Sequence, residues 1–212
     1  MFEEILSKNE KNALALLGQS KLLKNVYMAG GTALALQIGH RFSYDFDFFT
    51  QKEFDENMML QRIKELIPEF KLERVEWRTI LGYIQESRFS LFFYSYPLLF
   101  KTHKFLGADI ADIRDIAAMK IAAISDRNTK KDFIDLYFII EAEKILSLKD
   151  ALKLYDEKFK ALKQNQVHIL KSLQYFDDAE KEAMPKMIKS VSWQNVKNYF
   201  QKEVKNSSKE LL

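Results

Sequence analysis

Residues 27–50 read YMAGGTALALQIGHRFSYDFDFFT, and this stretch limits the possible folds more than any other. The apolar residues 25–29, running into a glycine pair, predict a short buried strand. Gly30 and Gly31 permit a positive φ and leave the backbone open to a ligand. Thr32 to Ile38 then predicts a short helix stopped by Gly39. The unpaired N–H groups at its start suit a phosphate, with the Thr32 hydroxyl beside them. The alternating SYDFDFFT predicts a strand with Asp45 and Asp47 on one face and Phe46 and Phe48 on the other.

Two carboxylates at this spacing stand only about 7 Å apart along a strand. Like charges so close are costly without a cation between them. The surrounding Phe46, Phe48 and Phe49 argue for a buried strand, where an unpaired acidic pair is hard to tolerate. Mg²⁺ meets the need, because it is held by one or two carboxylates together with substrate phosphates. The plainer alternatives are a solvent-facing polar stripe for the aspartates and a packing role for the glycines.

A helix over residues 54–67 stops at Pro68. FKLERVEW, TILGYIQ and RFSLFFYSY follow, short and rich in β-branched or aromatic residues, and they predict an antiparallel meander. Residues 2–17 predict a helix with Gly18 as its stop. From residue 112 the pattern is helical. DIRDIAAMKIAAISDR starts with Asp112 three residues before Asp115, an approximate cap, and sets Ile116, Met119 and Ala123 on one face. KKDFIDLYFIIEAEKIL, LKDALKLYDEKFKALK and the segments around 166–176, 180–189 and 193–205 complete the helices. The expected organisation is an α+β half over residues 1–107 and an all-helical half over 108–212, joined near Gly107.

Lys120 lies mid-helix among alanines and apolar residues. It either faces solvent or neutralises triphosphate oxygens. Asp132 and Asp135, one turn apart, project on the same side of the next helix, where one can serve as a base or hold Lys120 in place. Arg41 and Ser43, just ahead of the D-x-D, can reach phosphates, and Arg41 can instead pair with an acid.

A glycine turn, a helix and a D-x-D strand, in that order, resemble the nucleotidyltransferase superfamily with the DNA-polymerase-β-like fold. Within it, the chain is similar to the AbiEii toxin family of bacterial type IV toxin–antitoxin and abortive-infection systems. The matching residues are Gly30, Gly31 and Thr32, then Arg41, Ser43, Asp45 and Asp47, then Asp115, Lys120, Arg127, Asp132 and Asp135. The resemblance implies an α+β fold: a mixed sheet with flanking helices, followed by a C-terminal helical bundle that contributes to the active-site cleft. It implies Asp45, Asp47, Lys120 and Asp132 as catalytic residues, Asp45 and Asp47 as ligands of Mg²⁺ (or Mn²⁺), and Gly30, Gly31, Thr32, Arg41 and Ser43 as nucleotide-binding residues. It further implies a nucleoside triphosphate as donor, RNA as acceptor (particularly the 3′ end of tRNA), and a cognate antitoxin.

One departure stands out. Relatives present a third carboxylate from a later strand, and in RFSLFFYSYPLLF its expected position is Leu91, with only Glu86 and Asp109 near. The competing reading is therefore a catalytically degenerate fold that binds nucleotide, nucleic acid or a protein partner. An aspartyl-nucleophile phosphatase fits less well, since Phe49 stands where Thr or Val is preferred. His40, His103 and His168 lack the spacing of a triad or a zinc site.

The chain has no cysteine, which excludes a disulfide scaffold and a thiolate metal site. Its first residues, MFEEILSKNEKNALALL, read as neither signal peptide nor membrane span, so a cytoplasmic protein with no membrane partner is expected. Net charge is only +3, but residues 181–209 hold Lys181, Lys186, Lys189, Lys197, Lys202, Lys205 and Lys209 against Glu182 and Glu203. Such a stretch is either a solvated helical face or a track for phosphate backbones.

Overall fold

The computed structural model describes residues 1–162 and 166–210. Its chain divides into two compact units, residues 1–37 with 43–112 and residues 38–42 with 113–212.

The first unit is built on a mixed sheet. Helix α1 (Lys8–Gln19) opens with a capping box, Glu10 N–H donating to Ser7 Oγ and Ser7 N–H to the Glu10 carboxylate. Strand β1 (Val26–Ala29) is buried throughout, as a central strand must be. Helix α2 (Gly30–Ile38) starts at the glycine pair and ends at Gly39, where φ is +61°. Strand β2 (Phe46–Thr50) alternates between buried and half-buried positions. Helix α3 (Glu56–Leu66) is capped by the Asp55 side chain. Then come β3 (Lys71–Glu76), β4 (Thr79–Ile84), β5 (Ser87–Phe93), β6 (His103–Phe105) and β7 (Ala108–Ile110). The seven strands lie in the order β3-β4-β5-β2-β1-β7-β6. Pairs β1–β7 and β2–β5 are parallel, and the other neighbours are antiparallel. The buried face carries Met28, Phe46, Phe48, Ile80, Phe89, Leu91 and Ile110, each almost fully excluded from water.

Three local expectations change in this unit. Strand β2 begins at Phe46 rather than Ser43, so Asp45 precedes the ladder. Helix α1 starts at Lys8, after a separate 3-10 turn (Glu3–Ile5), rather than at residue 2, and runs through Gly18 to Gln19 instead of stopping there. A β-carbon at Gly18 would come within 2.4 Å of the Leu106 carbonyl oxygen and 2.5 Å of the Ala108 nitrogen, so this glycine serves close packing. Gly107, expected at the junction of two halves, sits in the tight turn between β6 and β7, where φ is +85°.

The second unit is helical: α4 (Ile113–Arg127), α5 (Lys130–Tyr137) leading into a π-helical turn (Phe138–Ala142), α6 (Leu148–Lys158), α7 (Gln166–Ser172), α8 (Asp177–Glu180) and α9 (Trp193–Glu210). Phe133 on α5 anchors an aromatic core, its ring 5.1 Å from Phe176, 5.9 Å from Trp193 and 5.4 Å from Phe200. Helix α4 is buried more widely than one stripe. Ile116, Ala117, Lys120, Ile121 and Ile124 are enclosed, and Met119 and Ala123 are half-buried. The helix expected over 180–189 does not form beyond Glu180. Pro185 removes an N–H and disfavours helical geometry before it, and the segment instead pairs with residues 40–42. Arg41 bridges Met187, Phe42 N–H donates to the Lys186 carbonyl, and Ile188 N–H donates to the His40 carbonyl. The end of the helix expected around Lys163 lies outside the described residues. Among the described residues, no helix is long and apolar enough to cross a membrane.

Candidate active site

In the first unit, the antiparallel register of β1 and β2 sets Ala29 opposite Asp47, which brings the Asp47 side chain over the glycine turn that follows Ala29. Gly30 adopts φ +78°, and a β-carbon there would lie 2.8 Å from Asp47 Oδ2. Only glycine lets the turn and the carboxylate approach this closely. Thr32 is buried and donates its hydroxyl to Ser43 Oγ at 2.9 Å, tying the first turn of α2 to the loop that delivers Asp45. Gly31, Ser43, Asp45 and Asp47 are all half-buried.

The neighbouring strand, β5, carries no carboxylate. In the parallel register of β2 and β5, Phe48 pairs with Leu91 and Asp47 pairs with Ser90. Leu91 therefore belongs to the buried face, at 1% exposure, and the residue sharing a face with Asp47 is Ser90. A third carboxylate beside Asp47 would therefore have to stand at position 90, where this chain has serine, and not at Leu91. Glu86 lies outside β5, and Asp109 on β7 is engaged by Thr102 Oγ1 and Lys104 Nζ. Two hard oxygen donors separated by one residue suit a Mg²⁺ ion whose remaining ligands are phosphate and water. Among the described residues, no set of three or more His, Cys, Asp or Glu side chains is gathered to hold an ion. The donor set thus fits an ion shared with substrate rather than a cage made wholly of protein.

In the second unit, Lys120 on α4 is 4% exposed and binds two carboxylates from α5, Asp132 Oδ1 at 2.8 Å and Asp135 Oδ2 at 2.5 Å. Helical spacing puts both acids on one side of α5, so one ammonium bridges them. An ammonium has three N–H donors, and the two carboxylates occupy two of them. Burial alone would push the Lys120 pKa down, but the two carboxylates outweigh it and hold the group above its ordinary value.

Asp132 also accepts from Arg127 Nε at 2.8 Å, Arg127 Nη2 at 3.1 Å and Thr129 Oγ1 at 2.6 Å. Burial would raise its pKa, yet Lys120 and Arg127 hold it far below the usual carboxylate range. A fully enclosed carboxylate with four donors on it is a poor base, which favours the holding role over proton abstraction. Arg41, expected on phosphate, is spent on Asp135 through Nε at 2.6 Å and Nη2 at 2.9 Å, with Nη1 on the Phe42 carbonyl. Its guanidinium is buried in a bidentate pair, the geometry that planar fork is built for. Asp135 sits well below its ordinary pKa, with Arg41 and Lys120 overcoming the cost of burial.

Sequence reasoning missed His40. Its Nε2 lies 2.7 Å from Asp135 Oδ1, and it is completely buried. The only signal was adjacency to Arg41. Asp115, grouped with these residues by the motif, lies elsewhere and pairs with the buried Lys158 at 2.8 Å.

The family described as nucleotidyl transferase AbiEii toxin, type IV TA system, matches this chain over residues 12–97 and 93–209. An uncharacterized protein of Aquifex aeolicus, aq_aa25, is 38% identical over 209 residues, covering 94% of this chain and 96% of its own. Among solved structures, the nucleotidyltransferase toxin MenT4 of Mycobacterium tuberculosis aligns with a TM-score of 0.59 at 16% identity, over 93% of this chain and 82% of its own. JHP933 from Helicobacter pylori aligns over 97% of both chains with a TM-score of 0.51 at 19% identity. Those two structures carry a likeness of fold alone. Matched along nearly its whole length, the chain belongs to the AbiEii family of nucleotidyltransferase toxins of type IV toxin–antitoxin systems, and its chemistry is nucleotidyl transfer.

Proposed function

We propose that the protein moves a nucleoside monophosphate from a nucleoside triphosphate to a hydroxyl of RNA, the 3′ end of tRNA, and acts as a toxin restrained by an antitoxin. The acceptor oxygen bonds to the α-phosphorus, the bond to the β-phosphate oxygen breaks, pyrophosphate leaves and the hydroxyl proton passes to solvent. Asp45 and Asp47 would hold Mg²⁺ (or Mn²⁺), whose positive charge would offset the negative charge of the phosphate chain when bound. Gly30 and Gly31 admit phosphate oxygens to the backbone at the start of α2, and Thr32 and Ser43 keep that turn beside the acids. Lys120 is the cation proposed to neutralise triphosphate charge, with Asp132 and Asp135 fixing its position. Arg41 acts through Asp135 rather than on the nucleotide.

The observation that carries this reading is the approach of Asp47 to the Gly30 turn, with 2.8 Å between Oδ2 and the place a β-carbon would take. That closeness supports a backbone for phosphate and a carboxylate for metal acting at one point. The test is transfer of label from an α-³²P nucleoside triphosphate to purified tRNA. Incorporation that requires Mg²⁺ and disappears in Asp45→Asn supports the reading, and incorporation unaffected by that change defeats it. Ser90, lacking a carboxylate beside Asp47, favours a second possibility. Triphosphate binding with no transfer to any acceptor would establish that degenerate form.

A further inference from the structure

The four lone-pair positions of the Asp135 carboxylate are all taken, by Arg41 Nε and His40 Nε2 on Oδ1 and by Arg41 Nη2 and Lys120 Nζ on Oδ2. Two cations would already satisfy the charge, so the imidazole is not there for neutralisation. His40 has no exposed surface, and its ring packs 5.2 Å from that of Phe138. Its second nitrogen, Nδ1, has no hydrogen-bond partner among the described residues.

That orphan nitrogen identifies the form of the ring. A charged imidazolium would bury an unpaired Nδ1–H and add a positive charge beside Arg41 and Lys120. A neutral ring with its proton on Nε2 leaves only a lone pair unsatisfied and still donates to Asp135. The environment acts the same way. Burial pulls the His40 pKa below 6.5, Arg41 and Lys120 add to that pull, and Asp135 opposes it without prevailing.

We propose that His40 is a positioning residue for nucleotidyl transfer: as a neutral Nε2–H donor it completes the hydrogen bonding of Asp135, and Asp135 then keeps the Lys120 ammonium in register. Arg41 sets the plane of the carboxylate, and His40 stops Oδ1 from turning to seek a fourth donor. Lys120 is shared between Asp132 and Asp135, so a shift of either acid moves the ammonium. The role rests on the task proposed above for Lys120.

Two measurements on the full chain test it. The first is nitrogen-15 NMR of histidine-labelled protein, which reads the ring whether or not the chain transfers nucleotide. The expected result is Nε2–H with a bare Nδ1 at neutral pH and a midpoint below 6.5. An Nδ1–H tautomer, or a charged ring at neutral pH, overturns the proposal. The second is steady-state transfer by His40→Gln, which keeps an amide donor near the Nε2 position, and by His40→Leu, which does not.

The glutamine form should keep kcat within about threefold, and the leucine form should lose about ten- to a hundredfold, as displaced catalytic groups do. The triphosphate KM should change less than kcat. The acid limb of the wild-type pH profile should be missing from His40→Gln, a change that altered packing alone would not produce. Equal losses in the two variants, or an acid limb kept by His40→Gln, would defeat the positioning role alone. A wild type with the expected tautomer and no transfer would instead defeat the proposed function, and the positioning role with it.

Discussion

At Gly30 the backbone already occupies the left-handed region, and a methyl group would press against Asp47 Oδ2. Gly30→Ala should cost about 1–2 kcal/mol in urea unfolding from the backbone alone. It should also weaken triphosphate binding, because the carboxylate must move aside. Lys120→Met should cost more, about 3–5 kcal/mol, since it leaves Asp132 and Asp135 buried with one cation fewer. The same groups set the pH dependence. The folded pKa values of Asp132 and Asp135 lie below 3.8, so their contribution is complete above that value and is lost as pH falls beneath it. His40 has a folded pKa below 6.5, so the unfolded chain takes up its proton first and stability starts to fall once pH drops under 6.5. Urea melts across pH should therefore show two stages of acid loss, and His40→Gln should remove only the upper one. The closeness of Gly30 and Asp47 was legible in the sequence because a strand, a turn and a strand lie within one local run. His40 and Arg41 were opaque because their partner lies 95 and 94 residues away.

Among the elements, β5 decides how the missing carboxylate is understood. Alternation alone left the face of RFSLFFYSY ambiguous, since residues 89–91 are all buried, and only the pairing with β2 distinguishes Ser90 from Leu91. A one-residue slip in register exchanges the two faces of a strand. Leu91→Asp should therefore place a charge in the core and cost about 3–5 kcal/mol or prevent folding. Ser90→Asp should give a folded protein with lowered thermal stability, and Mg²⁺ should restore it by more than in the wild type. Equal responses of the two variants to Mg²⁺ would refute the register argument. The meander β3–β5 was plain in the sequence because its strands are long and separated by short turns. The β6–β7 hairpin was not, because strands of three residues show no periodicity. Pro185 was the overlooked sign that 180–189 could not continue as helix.

Over the whole molecule, charge pattern gave less than it promised. Lys181 pairs with Asp178, Lys189 with Glu143 and Lys197 with Glu180, while Lys186 lies over the Phe42 ring. Lys202 and Lys205 on α9 are exposed, and Lys209 lies outside the described side chains. If RNA is the acceptor, Lys202→Gln and Lys205→Gln should each reduce the salt slope of its binding by about 0.7, the single-strand value per phosphate contact. Lys189→Gln and Lys197→Gln should reduce it less, their charges being already balanced. Fold class was readable from the succession of strands and then helices, whereas acceptor and partner depend on surfaces that no local pattern encodes. Everything proposed for the chemistry requires that the Gly30 turn and Asp47 grip a metal-bound phosphate chain. The most direct measurement is calorimetric binding of a non-hydrolysable nucleoside triphosphate to wild type and to Asp47→Asn, with and without Mg²⁺. Wild-type binding should strengthen at least about tenfold with Mg²⁺, and Asp47→Asn should lose that gain. Equal gains from Mg²⁺ in the two proteins would contradict that requirement.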